Sequence, residues 1–339
     1  MNRFPLLAVL VLALGCGGSS PSPEAASDAP AEPVTIGYQG MINPWKAQIR
    51  AGIFEEATGR SIEWRRFSSG SEVITAMASG DVDVAVAGSS PIATALSQGL
   101  DLRLVWILDA IDTAESLVVR TETGVTSVEG LVGKKVGVPL ASTTHYHLLF
   151  ALERAGVDTK EVTILNLQPD AIAASWKQKQ IDAAFVWSPV LDTLRTDGTV
   201  LVTSGELAAA GRPTFDGLVA RGPFAEANRD FLDALVQGVA TADAAWRDHG
   251  AGWTPETPEV VAIAKLTGAS ADTVPGVLAQ YRFPPPAEQA SPTWLGGESP
   301  GAGKALADTA AFLVAEGKVP RVLDDYGRYV EARHAAAAK

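Results

Sequence analysis

The sequence predicts a two-lobed α/β protein in which a ligand cleft lies between the lobes. Short apolar runs alternate with helical patterns, which indicates largely parallel sheets with helices on both faces. The alternation restarts midway along the chain, so two similar units follow each other. The 339 residues, 47% of them hydrophobic, are enough for two domains with large cores.

The first unit is predicted from four apolar or alternating runs. Helical spacing lies between them, with Gly59 ending the first helix. The predicted strands cover residues 34–38, 61–67, 82–87 and 102–108.

The second unit begins with a predicted strand over 115–120, and a similar strand over 217–221 mirrors it. Two such strands indicate crossings between the lobes, and the rest of the chain is mainly helical. The first lobe is therefore discontinuous, with residues 34–115 and 221–339. Residues 116–220 form the second lobe, with hinge strands at its ends.

A glycine–serine turn after the strand over 82–87 predicts an anion site. Gly88 allows a tight turn, a serine caps the next helix, and Pro91 suits the first helical position. The free N–H groups at a helix start carry about half a positive charge and bind anions. For this motif alone, an ordinary capped turn remains the alternative.

A similar turn opens a helix in the second lobe, at Ser142, Thr143 and Thr144. Ligands of open α/β sheets bind beyond the carboxyl ends of the strands, so we expect the two turns to face each other across the cleft. Their combined charge of about +1 matches one carboxylate, sulfonate or phosphate group.

Five short motifs support one family. They read A-G-S-S-P at 87–91, S-T-T-H-Y at 142–146, N-L-Q-P at 166–169, V-W-S-P at 186–189 and P-T-F-D at 213–216. In order and spacing they resemble the taurine-binding proteins of ABC importers, which have the type II periplasmic binding protein fold. The resemblance covers residues 34 to 332. It implies two lobes that close on a small sulfonate, taurine in that family, and deliver it to a membrane permease.

The resemblance also implies the ligand contacts. Hydroxyl-bearing residues of the two turns would hold the sulfonate, Trp187 would wall the pocket, and Asp216 would bind an ammonium group. The full predicted set is Gln39, Ser89, Ser90, Ser142, Thr143, Thr144, Gln168, Trp187 and Asp216.

Two of these residues also have simpler interpretations. Asp216 precedes the second crossing strand, where a partly desolvated carboxylate pairs well with an amine, but it could equally be a hinge-turn aspartate. Trp187 could be a core residue.

Asn43 stands where the family has a carboxylate-containing run, which removes one attraction for ammonium. An alkanesulfonate, a nitrate-like anion or a pyrimidine precursor is therefore the alternative ligand.

Composition excludes several other functions. The net charge of −12 argues against nucleic acid, since no basic stripe is present. His145 and His147 are two residues apart, which is poor geometry for a metal on a helix. A hydrolase could use Ser89, Ser90 or Ser142 with His145 as base, but G-x-S-x-G, Walker and H-E-x-x-H motifs are missing from the sequence. We expect a monomeric binding protein that uses no cofactor and is not an enzyme.

The N-terminus predicts export. A basic start, an apolar run over 6–14 and small residues form a signal segment, residues 1–16. The run is too short to span a membrane. Ala13-Leu14-Gly15-Cys16 resembles the bacterial lipoprotein box and implies that Cys16 is a lipid anchor, plain secretion being the alternative. Residues 17–33 are predicted as a flexible tether, which places the protein in the periplasm or on the outer face of the membrane.

Overall fold

Two sheets organise residues 32–338, the part of the chain that this computed structural model describes. The predicted signal segment, Cys16 and all but the last two residues of the predicted tether lie outside these residues. The strands in chain order are β1 Val34–Gln39, β2 Ile62–Phe67, β3 Val84–Gly88, β4 Leu102–Ile111, β5 Glu115–Arg120, β6 Lys135–Val138, β7 Thr163–Asn166, β8 Ala183–Trp187, β9 Gly198–Thr203, β10 Phe215–Arg221 and β11 Tyr281–Arg282.

Each sheet combines parallel and antiparallel strands. The first has the order β11-β4-β10-β3-β1-β2 and the second β7-β6-β8-β5-β9. β1 is parallel to β2 and β3, and β6 is parallel to β7 and β8, as the strand–helix alternation predicts. β10 is antiparallel to both its neighbours, and so is β5. Each of these two strands follows a strand of the other sheet along the chain: β4 precedes β5, and β9 precedes β10.

Helices cover both sheets. In chain order they are α1 Lys46–Ala51, α2 Ile53–Thr58, α3 Gly70–Ser79, α4 Ser89–Ser97, α5 Thr143–Arg154, α6 Pro169–Lys177, α7 Val190–Arg195, α8 Ser204–Ala209, α9 Gly222–Ala227, α10 Arg229–His249, α11 Pro258–Thr267, α12 Val274–Leu278, α13 Pro286–Gln289, α14 Gly301–Ala315 and α15 Arg333–Ala337.

The two crossing strands lie in different sheets. β5 pairs only within the second sheet, whereas β10 pairs along its length with β3 and β4 of the first sheet. The predicted hinge strand over 217–221 is therefore part of the first sheet and not the end of the second unit. A run of apolar residues indicates a buried strand but carries no information on which sheet receives it.

Helix α14 contributes to the cores of both sheets. Ala302, Leu306 and Ala310 pack in the core of the first sheet, while Phe312 and Leu313 pack in that of the second. The ring of Phe312 meets Tyr146 of α5 edge-on, with centroids 5.2 Å apart. α14 thus holds the helices behind the two sheets together.

Candidate functional site

The first turn joins β3 to α4 without a loop. Gly88 ends the strand and is also the N-cap of the helix, with extended backbone angles and no side-chain cap. Pro91 is therefore the third helical residue, so the predictions of a serine cap and of proline at the first position are wrong. The helix begins two residues earlier because Ser89 and Ser90 adopt helical geometry directly after the strand.

The second turn precedes α5, where Ser142 is the N-cap. Its Oγ accepts a hydrogen bond from the N–H of His145 at 3.0 Å, which is the contact that a capping serine makes. The N–H groups of Thr143 and Thr144 belong to the first turn of α5, where a helix supplies no carbonyl partner.

The two turns face each other and touch. A Cβ placed on Gly88 would lie 2.7 Å from Cγ2 of Thr143, closer than real Cβ atoms approach another group. A helix start from each sheet therefore points at the same place. The N–H groups of Ser89, Ser90, Thr143 and Thr144 form the donor set that an anion can use.

The hydroxyl groups of these turns are mostly engaged within the protein. Ser142 Oγ lies 2.7 Å from Thr144 Oγ1, and Thr143 Oγ1 donates to Glu115 Oε1 at 2.6 Å. Ser89 Oγ accepts a long bond from the N–H of Phe215. Ser90 Oγ, within the described chain, is buried without a hydrogen-bond partner. It is the hydroxyl best suited to contact a ligand.

Buried carboxyl groups lie beside the turns. Asp216 is 3% exposed and pairs in register with Gly88 on β3 and with Asp109 on β4. Burial raises its pKa to about 7, against the opposing effects of Lys46 and of a hydrogen bond with Asp109. Burial and the neighbouring Asp216 raise the pKa of Glu115 to about 8. Asp216 therefore lies beside the first turn, and Glu115 is a second buried carboxyl group near it.

A buried lysine balances this charge. Lys46 Nζ contacts the carbonyl of Met41 and, at 3.2 Å, Oδ1 of Asn43. Asn43 Nδ2 in turn donates to Asp109 Oδ2 at 2.8 Å. Burial lowers the pKa of Lys46 to about 7, although Asp216 and Asp109 act to raise it. Asn43 thus links the first loop to a carboxyl group on β4.

Sequence reasoning missed Glu115, Asp109 and Lys46. A detectable signal existed for Asp109, because a carboxyl group inside an otherwise apolar strand is costly to bury without a partner. Glu115 had a weaker signal, as the first residue of a strand at a crossing between sheets. Lys46 gave none, since a lysine at a helix start is ordinarily exposed.

Some of these groups line a small cavity of about 10 Å³, whereas Ser89, Ser90 and Thr144 are not among its lining residues. First-sheet and second-sheet residues both line it, namely Gln39, Met41, Gly70, Gly88, Pro91, Glu115, Ser142, Thr143, Trp187 and Asp216. Gln39, which belongs to the predicted site, also donates a hydrogen bond to the carbonyl of Val86 at 2.7 Å. A cavity of this size holds about one water molecule, so a larger solute requires its walls to separate.

A second cavity of about 560 Å³ adjoins the first, and Trp187 borders both. Trp187 is 6% exposed and combines the two alternatives predicted for it, since it packs in the core and also walls the cavities. Gln168 is the N-cap of α6, directly before Pro169 and Asp170 of the larger cavity. It does not line the small cavity.

The two histidines of α5 have different surroundings. His145 Nδ1 accepts from the N–H of Ala141 at 3.3 Å. His147 lies between Ser204 Oγ and the carbonyl of Arg212, each 2.8 Å away. Burial lowers the pKa of both to about 4. Each histidine therefore has its own hydrogen-bond partners.

Comparison with known proteins identifies relatives. Residues 56–249 match the family described as NMT1/THI5 like. The chain is 36% identical over 308 residues to the taurine-binding periplasmic protein of Escherichia coli strain K12, which covers 91% of this chain and 94% of that protein.

Solved structures share the fold. The alkanesulfonate-binding protein SsuA from Xanthomonas axonopodis pv. citri, bound to MOPS, superimposes with a TM-score of 0.71 at 22% identity, covering 91% of this chain and 98% of that one. The periplasmic aliphatic sulphonate binding protein SsuA from Escherichia coli gives 0.70 at 23% identity, with 90% and 99% covered.

These matches confirm the predicted family and fold class, and also the prediction of a binding protein instead of an enzyme. Within residues 32–338, every helix is too short or too polar to cross a membrane. The chain belongs to the NMT1/THI5-like family, among the periplasmic solute-binding proteins of ABC importers with the type II fold.

Proposed function

We propose that this protein captures taurine and delivers it to the permease of an ABC importer. The single observation that carries the proposal is the juxtaposition, around one small cavity, of two helix starts with two buried carboxyl groups. Taurine has a sulfonate at one end and an ammonium at the other, which matches this pairing. The relative that is 36% identical is itself a taurine-binding periplasmic protein.

The sulfonate would bind where the turns meet. The N–H groups of Ser89, Ser90, Thr143 and Thr144 supply donors, and the positive ends of α4 and α5 favour an anion. The unpartnered Oγ of Ser90 adds one hydroxyl donor. Because these groups are fixed by two helices, they need little reorganisation to receive the anion.

The ammonium would lie between Asp216 and Glu115. Both groups line the cavity, and both are almost fully buried, so an ion pair there is shielded from water. Ammonium favours the ionised form of each carboxyl group and so offsets the burial that raises their pKa. An uncharged tail would leave these groups without a cationic partner.

Capture would proceed by opening and closing of two lobes, residues 34–115 with 221–339 and residues 116–220. Support comes from the cavity, whose walls belong to both sheets and whose present size excludes taurine. The lobe boundary near 220 is better placed before β10, which pairs in the first sheet. Closure would exclude water and strengthen each polar contact.

The protein would act as a monomer in the periplasm, held at the membrane through acylated Cys16. The motif around Cys16 supports the anchor, and the periplasmic relatives support the compartment. Replacing Cys16 by serine is expected to move the protein from the membrane fraction to the soluble fraction. Equal membrane recovery of both forms would contradict the anchor.

Calorimetric titration of the protein without residues 1–31 tests the ligand. Taurine is expected to bind more tightly than ethanesulfonate, which lacks the ammonium, and alanine is expected to bind weakly because its carboxylate and ammonium are closer together. Asp216→Asn should abolish the preference for taurine and leave ethanesulfonate binding. Equal affinity of the unmodified protein for taurine and ethanesulfonate would favour the alternative ligand, an alkanesulfonate.

A further inference from the structure

A chain of buried polar groups extends from the proposed ammonium site into the second sheet. Glu115 Oε2 lies 3.2 Å from Ser204 Oγ, and Ser204 Oγ lies 2.8 Å from His147 Nδ1. His147 Nε2 lies 2.8 Å from the carbonyl of Arg212. Ser204 and His147 are fully buried, so bulk water does not complete these bonds.

The hydrogen atoms of this chain can be counted. A carbonyl only accepts, so His147 Nε2 must carry a hydrogen and donate it to Arg212. Ser204 has one hydroxyl hydrogen but two partners, Glu115 and His147. Both contacts of Ser204 are therefore satisfied only if one partner donates to it, so that either Glu115 Oε2 or His147 Nδ1 carries one additional proton.

Two arrangements meet this condition with the same number of protons. In the first, a neutral Glu115 donates to Ser204, and Ser204 donates to a neutral His147. In the second, a cationic His147 donates to Ser204, and Ser204 donates to an ionised Glu115. If both partners lacked the proton, a buried acceptor would be left unpaired, which is unfavourable.

We propose that the chain from Glu115 through Ser204 to His147 is a proton relay that lets Glu115 ionise when an ammonium ligand arrives. The proposal rests on the proposed function, since it takes the ligand to carry an ammonium group. Ser204 and His147 act as positioning residues because they act through Glu115 and do not touch the ligand.

The transfer is balanced within the protein. The O–H bond at Glu115 Oε2 breaks as that proton joins Ser204 Oγ, and the proton already on Ser204 forms an N–H bond at His147 Nδ1. Without ligand the proton stays on Glu115, whose raised pKa and the lowered pKa of His147 both follow from burial. Ammonium beside Glu115 reverses the preference, and the new carboxylate then stabilises the imidazolium.

Other charged groups around the relay fit this direction. Asp216 faces Glu115 and disfavours its ionisation until a cation lies between them. Thr143 Oγ1 donates to the other oxygen, Oε1, and so favours the carboxylate. The guanidinium of Arg212 is turned away onto the rings of Phe150 and Phe312. The remaining requirement is the cation, which the ligand brings.

Nitrogen-15 NMR of the histidine side chains tests the relay. The chain has four histidines, and a His147→Gln variant assigns the signal. Without ligand, His147 should be neutral with its hydrogen on Nε2. Saturating taurine should convert it to imidazolium at pH 7, whereas saturating ethanesulfonate should leave it neutral. A neutral His147 in the taurine complex would overturn the inference while leaving taurine binding intact.

Two variants interrupt the relay at different points. Ser204→Ala removes the bridging hydroxyl and should abolish the taurine response of His147 and weaken taurine binding about tenfold. Glu115→Gln keeps a donor toward Ser204 and should hold His147 neutral with either ligand. An imidazolium in the taurine complex of either variant would overturn the relay. If the unmodified protein does not bind taurine at all, the proposed function fails, and the failure is visible by calorimetry before any NMR measurement.

Discussion

The contact between the two turns predicts that Gly88→Ala weakens ligand capture. The φ angle of Gly88 is −69°, which alanine adopts without strain, so the change should not destabilise the turn itself. The new Cβ would lie 2.7 Å from Cγ2 of Thr143, well inside the 3.4 Å at which ordinary contacts begin. The turns must therefore move apart, and the donors on α4 and α5 lose their common focus.

The magnitude follows from the cost of overpacking. Inserting a methyl group into a packed site typically costs about 1–3 kcal/mol, which corresponds to roughly a 5- to 150-fold loss of affinity if closure must bring these atoms together. The next neighbour of the new Cβ is Asp216 Oδ1 at 3.4 Å, an ordinary contact. Thr143 is therefore the group that should limit closure.

A second substitution isolates the cause. Thr143→Ser removes Cγ2 but keeps the hydroxyl that donates to Glu115, so the Gly88→Ala, Thr143→Ser double variant should recover most of the lost affinity. Calorimetric titration with taurine and ethanesulfonate measures both, with Thr143→Ser alone as the reference. The loss should appear with both ligands, because both place a sulfonate at the turns. Unchanged affinity of Gly88→Ala, or no recovery in the double variant, would refute the geometry.

Three further expectations follow from individual groups. The pKa of Glu115 is raised from 4.5 to about 8, so its proton stabilises the fold at low pH and this contribution declines as the pH rises toward 8. The free energy of urea unfolding of Glu115→Gln should therefore equal that of the unmodified protein near pH 4 and exceed it by about 3 kcal/mol at pH 7. A difference that does not change with pH would contradict this. Ser90→Ala removes a buried unpartnered hydroxyl, so thermal stability should be unchanged or higher, while the affinity for taurine and ethanesulfonate falls about tenfold by calorimetry. Phe312→Ala removes the ring of α14 that meets Tyr146 and should cost about 3 kcal/mol in denaturant unfolding, with Phe312→Leu losing less.

Most of the fold was predictable because its signals are local. Gly88, the apolar run before it and the helical spacing after it define a strand–helix turn within a dozen residues. The hydroxyl residues predicted at the start of α5 are an equally local signal, and the structure places Ser142 there as the N-cap. The sheet that receives β10 was not predictable, because β10 meets β3 and β4 from more than a hundred residues away.

The same distinction separates the predicted and the missed parts of the site. The turn residues can be recognised in the sequence from their small and hydroxyl-bearing side chains, whereas Glu115, Ser204 and His147 come together only through folding. His147 shows what the sequence does not reveal. Its spacing from His145 argues against a metal site but gives no indication of its contact with Ser204, 57 residues away.

The position of Asn43 shows how contacts between distant residues change a prediction made from one loop. Taken alone, its amide weakens the expected attraction for ammonium, because a carboxylate is missing from the loop. In the folded chain that amide donates to Asp109, which lies in register with Asp216 on the neighbouring strand. Burial and nearby carboxyl groups, Asp216 among them, raise the pKa of Asp109 well above its ordinary value, whereas Lys46 acts to lower the pKa of Asp216. Lys46 therefore favours an ionised Asp216, so the negative charge that the loop lacks is available on β10, beside the helix starts where the sulfonate end of the ligand would lie.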